Sequence, residues 1–274
     1  MQVPLISAQP RPQTPSCNKP VYLTFDTGHM GVAPLIAEVL QRHDVPVTFF
    51  VASERTREGG TTLDERWAPW WRERVAEGHL FASHTWDHWV LQPGSDGADG
   101  RWRFKVTQGP RTGQTVQEGA QAYCEQLRRP ARRFEEMTGQ RMSALFRAPG
   151  GRVTPALLQA ARACGFEHVG WAPAGFLGDE LDSRTHANEA LLRKALKEIR
   201  SGDVLMAHLG IWSRQDPWAP AVLEPLIVGL KERGFCFRTL RDHPVHGAGA
   251  QRAAPTGAVT LAAAAVDGPR SARP

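Results

Sequence analysis

Residues 83–88, Ser-His-Thr-Trp-Asp-His, set His84 and His88 four positions apart, directly after the apolar run Leu80-Phe81-Ala82. On a helix that spacing brings both imidazoles onto one face, close enough to share a metal ion. Three more reactive side chains close apolar runs: Asp26 after Val21–Phe25, Arg147 after Ala144–Phe146, and His208 after Val204–Ala207. A carboxylate, a guanidinium and an imidazole are groups able to hold charge or move a proton. One Asp at a strand end is usually a helix cap. The recurrence of such groups at strand ends is what points to a site.

The recurrence has meaning only if the strands run in parallel. Apolar runs expected as strands cover 21–26, 47–51, 80–83, 144–147, 168–172, 203–208 and 235–240. Between them, amphipathic stretches predict helices over 32–43, 63–77, 117–138, 154–164, 186–200 and 219–232. Strand–helix alternation of this kind builds a parallel sheet with helical crossovers. No Gly-x-Gly-x-x-Gly follows the first run, which removes the nucleotide-binding argument for an open sheet. The expected fold class is α/β, a distorted (β/α)7-type barrel in a single domain, with its strand C-terminal ends opening on one face. Residues 90–116, rich in Gly and Pro, interrupt the alternation and are expected as a long loop or flap beside the histidine pair.

With these residues in order, the chain resembles the polysaccharide deacetylase family, the NodB-homology or carbohydrate esterase family 4 proteins. Thr24-Phe25-Asp26-Thr27-Gly28 is similar to the first motif, Thr-Phe-Asp-Asp-Gly in most members, and Ser83–His88 resembles the second. Arg147-Ala148-Pro149-Gly150-Gly151 looks like the third, Trp171 like the opening of the fourth, and Leu205-Met206-Ala207-His208 like the fifth. The ordered set spans about Val21 to Leu240.

The resemblance implies removal of acetyl groups, N-acetyl above all, from a polysaccharide such as peptidoglycan or an exopolysaccharide. It implies a divalent metal, zinc by preference, on His84 and His88. Asp26 would be the base, His208 the acid and Arg147 the partner of Asp26. Trp171 and Pro149 would meet the sugar, with Trp102 of the 90–116 segment as a further contact. Two departures stand out. Thr27 takes the place of a ligating Asp, and its neutral hydroxyl is a weak ligand for a divalent cation. A subgroup resembling the muramic-acid deacetylases is also substituted there. The Asp expected soon after Trp171, which supports the histidine acid, is displaced to Asp179 or Asp182.

Bulk properties agree with a globular domain. The chain has 274 residues, 41% of them hydrophobic, and a net charge of +5 spread over many segments. No basic stripe interleaved with aromatics marks a nucleic-acid partner, and no apolar run is long enough for a transmembrane segment, which takes about 20 residues. Residues 1–19 are expected as a loose arm, 20–244 as the folded domain and 245–274 as a disordered tail. Of the four cysteines, Cys164 and Cys236 sit in apolar contexts and are expected as buried thiols, Cys17 as exposed; the even count also permits disulfides. The N-terminus has neither a charged n-region nor a long h-region. The expectation is therefore a cytoplasmic protein, or a cell-envelope protein whose export signal is missing from this chain. Two other readings fit the same residues: an allantoinase-like enzyme cleaving a small amide, and a catalytically weak glycan-binding module.

Overall fold

The computed structural model describes residues 17–257. The strands and helices of the barrel come in alternation. They begin with β1 (Pro20–Asp26), α1 (Ala33–Arg42), β2 (Thr48–Val51), α2 (Ala68–Ala76) and β3 (Leu80–Ser83). An insertion follows, made of β4 (Trp89–Leu91), β5 (Arg101–Val106) and β6 (Thr115–Gly119). The alternation resumes with α3 (Ala120–Thr138), β7 (Leu145–Phe146), α4 (Pro155–Ala163), β8 (Glu167–His168), α5 (Asn188–Glu198), β9 (Val204–His208), α6 (Leu223–Glu232) and β10 (Cys236–Phe237). A short α7 (Gly247–Gln251) is the last helix among the described residues.

Seven strands form one curled parallel sheet, in the order β10-β1-β2-β3-β7-β8 with β9 on the other side of β1. The ring closes through the segment after β8: the N–H groups of Ala172 and Leu177 donate to the carbonyls of Val204 and Met206 on β9. This is a distorted (β/α)7 barrel in one domain. Strands covered on both faces read as unbroken apolar runs rather than alternating ones, and every residue of β1 from Val21 to Asp26 is buried. One core packs the sheet against its helices, around Phe25, Phe49, Phe81, Trp71 and Phe134. A second fills the barrel with Tyr22, Phe50, Leu80, Leu145, Val169 and Leu240.

Four expectations are corrected. Residues 90–116 do not form a loop: β4, β5 and β6 pair as an antiparallel sheet. Trp102, expected to touch substrate, is 4% exposed in that sheet, its indole occupying the space left by the missing side chain of Gly97. The sheet needs its large aromatic for a core, so no glycan can reach it. The tail expected from 245 is folded up to 257: α7 packs Ala250 into the barrel core and Ala253 bridges to Ser143. The rest of the tail, and residues 1–16 of the arm, lie outside the described residues. The cysteines are not thiols. Cys17 pairs with Cys236 and Cys124 with Cys164, at Cα separations of 5.9 and 6.0 Å.

Candidate active site

The rim of the barrel collects the residues expected to do chemistry. Asp26 ends β1 and lies in register with His208, which ends β9. Phe50 of β2 is its partner on the other edge. His84 follows β3 at once, held by its N–H donating to the Val51 carbonyl, and Arg147 follows β7, its N–H donating to the Ser83 carbonyl. The parallel register therefore delivers all four side chains to one mouth.

Arg147 has no exposed surface and is fully engaged. Nη1 donates to Asp26 Oδ1 at 2.7 Å and to Thr24 Oγ1 at 2.8 Å. Nε and Nη2 reach the carbonyls of Val169 and Gly170, and the guanidinium stacks 4.1 Å from the Phe50 ring. Asp26 is 3% exposed. Burial alone would raise its pKa, but Arg147, with His84 and His208, outweighs burial and brings it below the usual carboxylate range. Asp26 is thus an ionised carboxylate in a dry setting.

His208 faces the opposite way electrostatically. Burial would lower its pKa, yet Asp179, 3.1 Å from Nδ1, raises it to about 9. Asp179 also accepts the His208 backbone N–H at 2.7 Å, which fixes the carboxylate against the strand end. Of the two acids left open by the sequence, Asp179 is the one at His208. Asp182 is on the surface, paired with Arg184. Beside His208 lies a pocket of about 90 Å³ lined by His29, Arg57, Asp179, Gly210, Ile211 and Trp218. A larger cavity of about 670 Å³, lined by Leu40, Glu77, His79, Lys231 and Phe235, contains none of these strand-end groups.

The two histidines of Ser83–His88 do come together, with ring centroids 5.0 Å apart, but not on a helix. They flank a tight loop between β3 and β4 in which Thr85 and His88 adopt left-handed φ values of 62° and 48°. A β-branched residue rarely takes that conformation, and such strain persists only where surrounding contacts impose it. Here Thr85 Oγ1 accepts the Trp89 N–H, and Asp87 exchanges two hydrogen bonds with Gln126 of α3, at 2.8 and 3.0 Å. His84 Nδ1 donates to the Arg147 carbonyl at 2.9 Å, leaving Nε2 as the unprotonated nitrogen, 3.6 Å from Asp26 Oδ2. Burial keeps this ring neutral, with its pKa down at about 4. Thr107 donates its hydroxyl to the His88 carbonyl, so His88 Nδ1 donates to Thr107 Oγ1, at 2.6 Å. These tautomers, assigned from the hydrogen-bond partners, leave two Nε2 lone pairs free, the donor type that divalent transition metals take. Thr27 is 2% exposed, and its hydroxyl accepts the Ala52 N–H at 3.0 Å. Among the described residues no three His, Cys, Asp or Glu side chains form a group able to hold an ion.

Trp171 is half-buried, its indole filling the space above Gly151 and 5.6 Å from the Arg147 guanidinium; Pro149 is buried. His29 is a spacer in the rim. Its N–H donates to the Gly210 carbonyl, its Nδ1 accepts from Gly31, and its ring meets the edge of Trp212, which is 52% exposed. Gly28 is required by close approach, since a Cβ there would stand 2.1 Å from the Gly210 carbonyl oxygen. The sequence reading missed Thr107 and Gln126, which act through His88 and Asp87.

Comparison with known proteins bears on the family and the fold. The family model described as polysaccharide deacetylase matches residues 13–169. A chitooligosaccharide deacetylase of Azorhizobium caulinodans is 25% identical over 230 residues, covering 80% of this chain and 92% of that protein. A peptidoglycan-N-acetylglucosamine deacetylase of Bacillus cereus is 22% identical over 231 residues, covering 84% and 90%. Among solved structures, a family 4 acetyl xylan esterase from Clostridium thermocellum in complex with a cobalt ion superposes with a TM-score of 0.61 at 20% identity, covering 82% and 89%.

Proposed function

The chain belongs to the polysaccharide deacetylase family, and from that premise we propose that it is a metal-dependent hydrolase that removes N-acetyl groups from an envelope glycan. One observation carries the reading. An ionised Asp26 and a protonated His208 stand on adjacent strands in register, each held in its charge state by its own buried partner, Arg147 and Asp179. A pure binding module has no use for a matched base and acid.

His84 and His88 would hold the metal, through the two Nε2 atoms that their other hydrogen bonds leave free. The ion, zinc in this reading and a divalent cation in any case, would polarise the acetyl carbonyl and acidify a water molecule. Asp26 accepts the proton of the attacking water. Its low pKa makes it a weak base, which suits a water already made acidic. Arg147 keeps the carboxylate aimed and takes no proton. His208 gives its proton to the departing nitrogen, without which an amide expels a poor leaving group. The proton lost by Asp179-bound His208 is restored from solvent, since the His208 side chain keeps 12% of its surface exposed. Trp171 offers an aromatic wall to the sugar ring, and the small pocket beside His208 suits an acetyl group rather than a pyranose.

The two disulfides support an oxidising compartment, hence the cell envelope, over the cytoplasm. The reading is tested by acetate release from N-acetylated chito-oligosaccharides and peptidoglycan, with and without a chelator, beside a panel of small cyclic amides. Chelator-sensitive acetate release is expected. Turnover of a cyclic amide with none on any glycan would assign the chain to the allantoinase-like reading instead.

A further inference from the structure

The pocket beside His208 carries more positive charge than the reaction uses. Arg57, Arg214 and His208 line it, and the carboxylate among its lining residues, Asp179, is spent on His208. Arg214 is 6% exposed. Its Nε, Nη1 and Nη2 donate to neutral acceptors, the carbonyls of Asp216, Leu181 and His186 and the Oδ1 of Asn188. These bonds tie the loop between β9 and α6 to residues 181–188, but they cancel none of the charge. Arg57 is exposed, its Cδ lying where a Cβ on Gly31 would stand 2.8 Å away. Neither arginine forms an ion pair among the described residues. A buried cation without a counter-ion is costly, and its field in a narrow pocket attracts an anion. On the same loop, Trp212 is 52% exposed, the one exposed aromatic among the described residues. The Arg55 guanidinium lies over its ring at 5.1 Å and the His29 ring meets it edge-on at 5.0 Å. An aromatic that is both held and exposed marks a binding surface rather than a core.

We propose that this side of the mouth selects an acidic glycan: Trp212 stacks on a sugar of the chain, and Arg57 receives a carboxylate that the chain carries. The inference rests on the deacetylase reading of the same mouth. The pocket takes the acetyl group, and Arg57, exposed while lining that pocket, meets a carboxylate just outside it. Arg214, with its donors already used, contributes field rather than a contact. Arg57 still has its guanidinium donors to give, and a guanidinium fork matches a carboxylate in geometry. The carboxylate belongs either to the ring of a uronic acid or to a lactyl ether on an amino sugar, since both present the same group to Arg57.

The test is steady-state acetate release, with zinc present, by wild type, Arg57→Gln, Arg57→Lys and Trp212→Ala. Three probes of similar length are compared: neutral chito-oligosaccharide, hyaluronan oligosaccharide with its ring carboxylates, and peptide-free peptidoglycan strands with their lactyl carboxylates. Wild type is expected to show higher kcat/KM on an acidic probe than on the neutral one, and the better acidic probe identifies the source of the carboxylate. Arg57→Gln is expected to cut that preference about 10–100-fold, the worth of a charge-assisted hydrogen bond, and Arg57→Lys to keep most of it. Trp212→Ala is expected to raise KM about tenfold on all probes that turn over, with kcat little changed. Wild type that favours the neutral probe overturns the inference, as does an undiminished preference in Arg57→Gln or an unchanged KM in Trp212→Ala. Each of these results leaves the deacetylase reading standing. Wild type that releases acetate from none of the three overturns that reading, and this inference with it.

Discussion

At the scale of single residues, the site is two charge assignments, and both are testable by pH. His208 has its folded pKa raised to about 9 from 6.5. Its protonated form therefore adds stability that is complete below about 6.5 and lost as pH rises through about 9. The acid limb of catalysis should fail over the same upper range. In Asp179→Asn the raising charge is gone, so the alkaline fall of kcat/KM is expected to move toward the ordinary histidine range; an unmoved profile would remove Asp179 from the account. Asp26 carries the opposite sign: its depressed pKa gives stability present above the unfolded carboxylate value and lost as pH falls through the folded one. Arg147→Met leaves that buried carboxylate uncompensated, and urea unfolding should show a loss of about 3–5 kcal/mol. The positions stood out in sequence because each residue ends an apolar run; the roles came only with the resemblance. Asp179 was readable only as one of two acids, since nothing in the order of residues says which one folds back onto β9.

At the scale of elements, the loop between β3 and β4 decides whether His84 and His88 meet. The sequence suggests a helix because four residues is a helical spacing. The structure reaches the same pairing with a strained turn, which spacing alone cannot distinguish. What holds the turn is remote in sequence: Gln126 of α3 buries both ends of its amide against Asp87. Gln126→Leu is expected to cost about 1–3 kcal/mol in stability, the penalty of an unsatisfied buried carboxylate and N–H. It should also weaken zinc binding, measured by titration; unchanged affinity would show that the turn holds without its clamp. The antiparallel sheet β4-β5-β6 was read as a flap for a related reason. Its Gly- and Pro-rich turns dominate the composition, while the alternating burial of Trp102, Phe104 and Val106 that marks β5 is short.

At the scale of the molecule, the barrel was legible because strands buried on both faces announce themselves as apolar runs between amphipathic helices. Its closures were not. The α7 segment is Gly-Ala-Gly-Ala-Gln, which has no amphipathic pattern, and it is helical because Ala250 and the small residues around it fit the barrel core. Disulfide pairing depends on which cysteines the fold brings within reach, so an even count left it open. Cys17–Cys236 ties the start of β1 to the last strand across 219 residues, and Cys124–Cys164 ties α3 to the end of α4 across 40. Replacing Cys124 and Cys164 together by Ser should lower stability by about 2–4 kcal/mol, the usual worth of such a link, with the barrel circular dichroism retained. A variant as stable as wild type would mean that packing alone holds these helices.

The central claim is that Asp26 is the base of an acetyl-removing enzyme. Its most direct test is the rate of acetate release from an N-acetylated glycan by folded Asp26→Asn, which keeps the side-chain shape and a hydrogen-bond acceptor for Arg147. The account predicts a fall of about 10²–10⁴-fold, the contribution of a positioned general base, with substrate binding preserved. Wild-type rates in Asp26→Asn would contradict it.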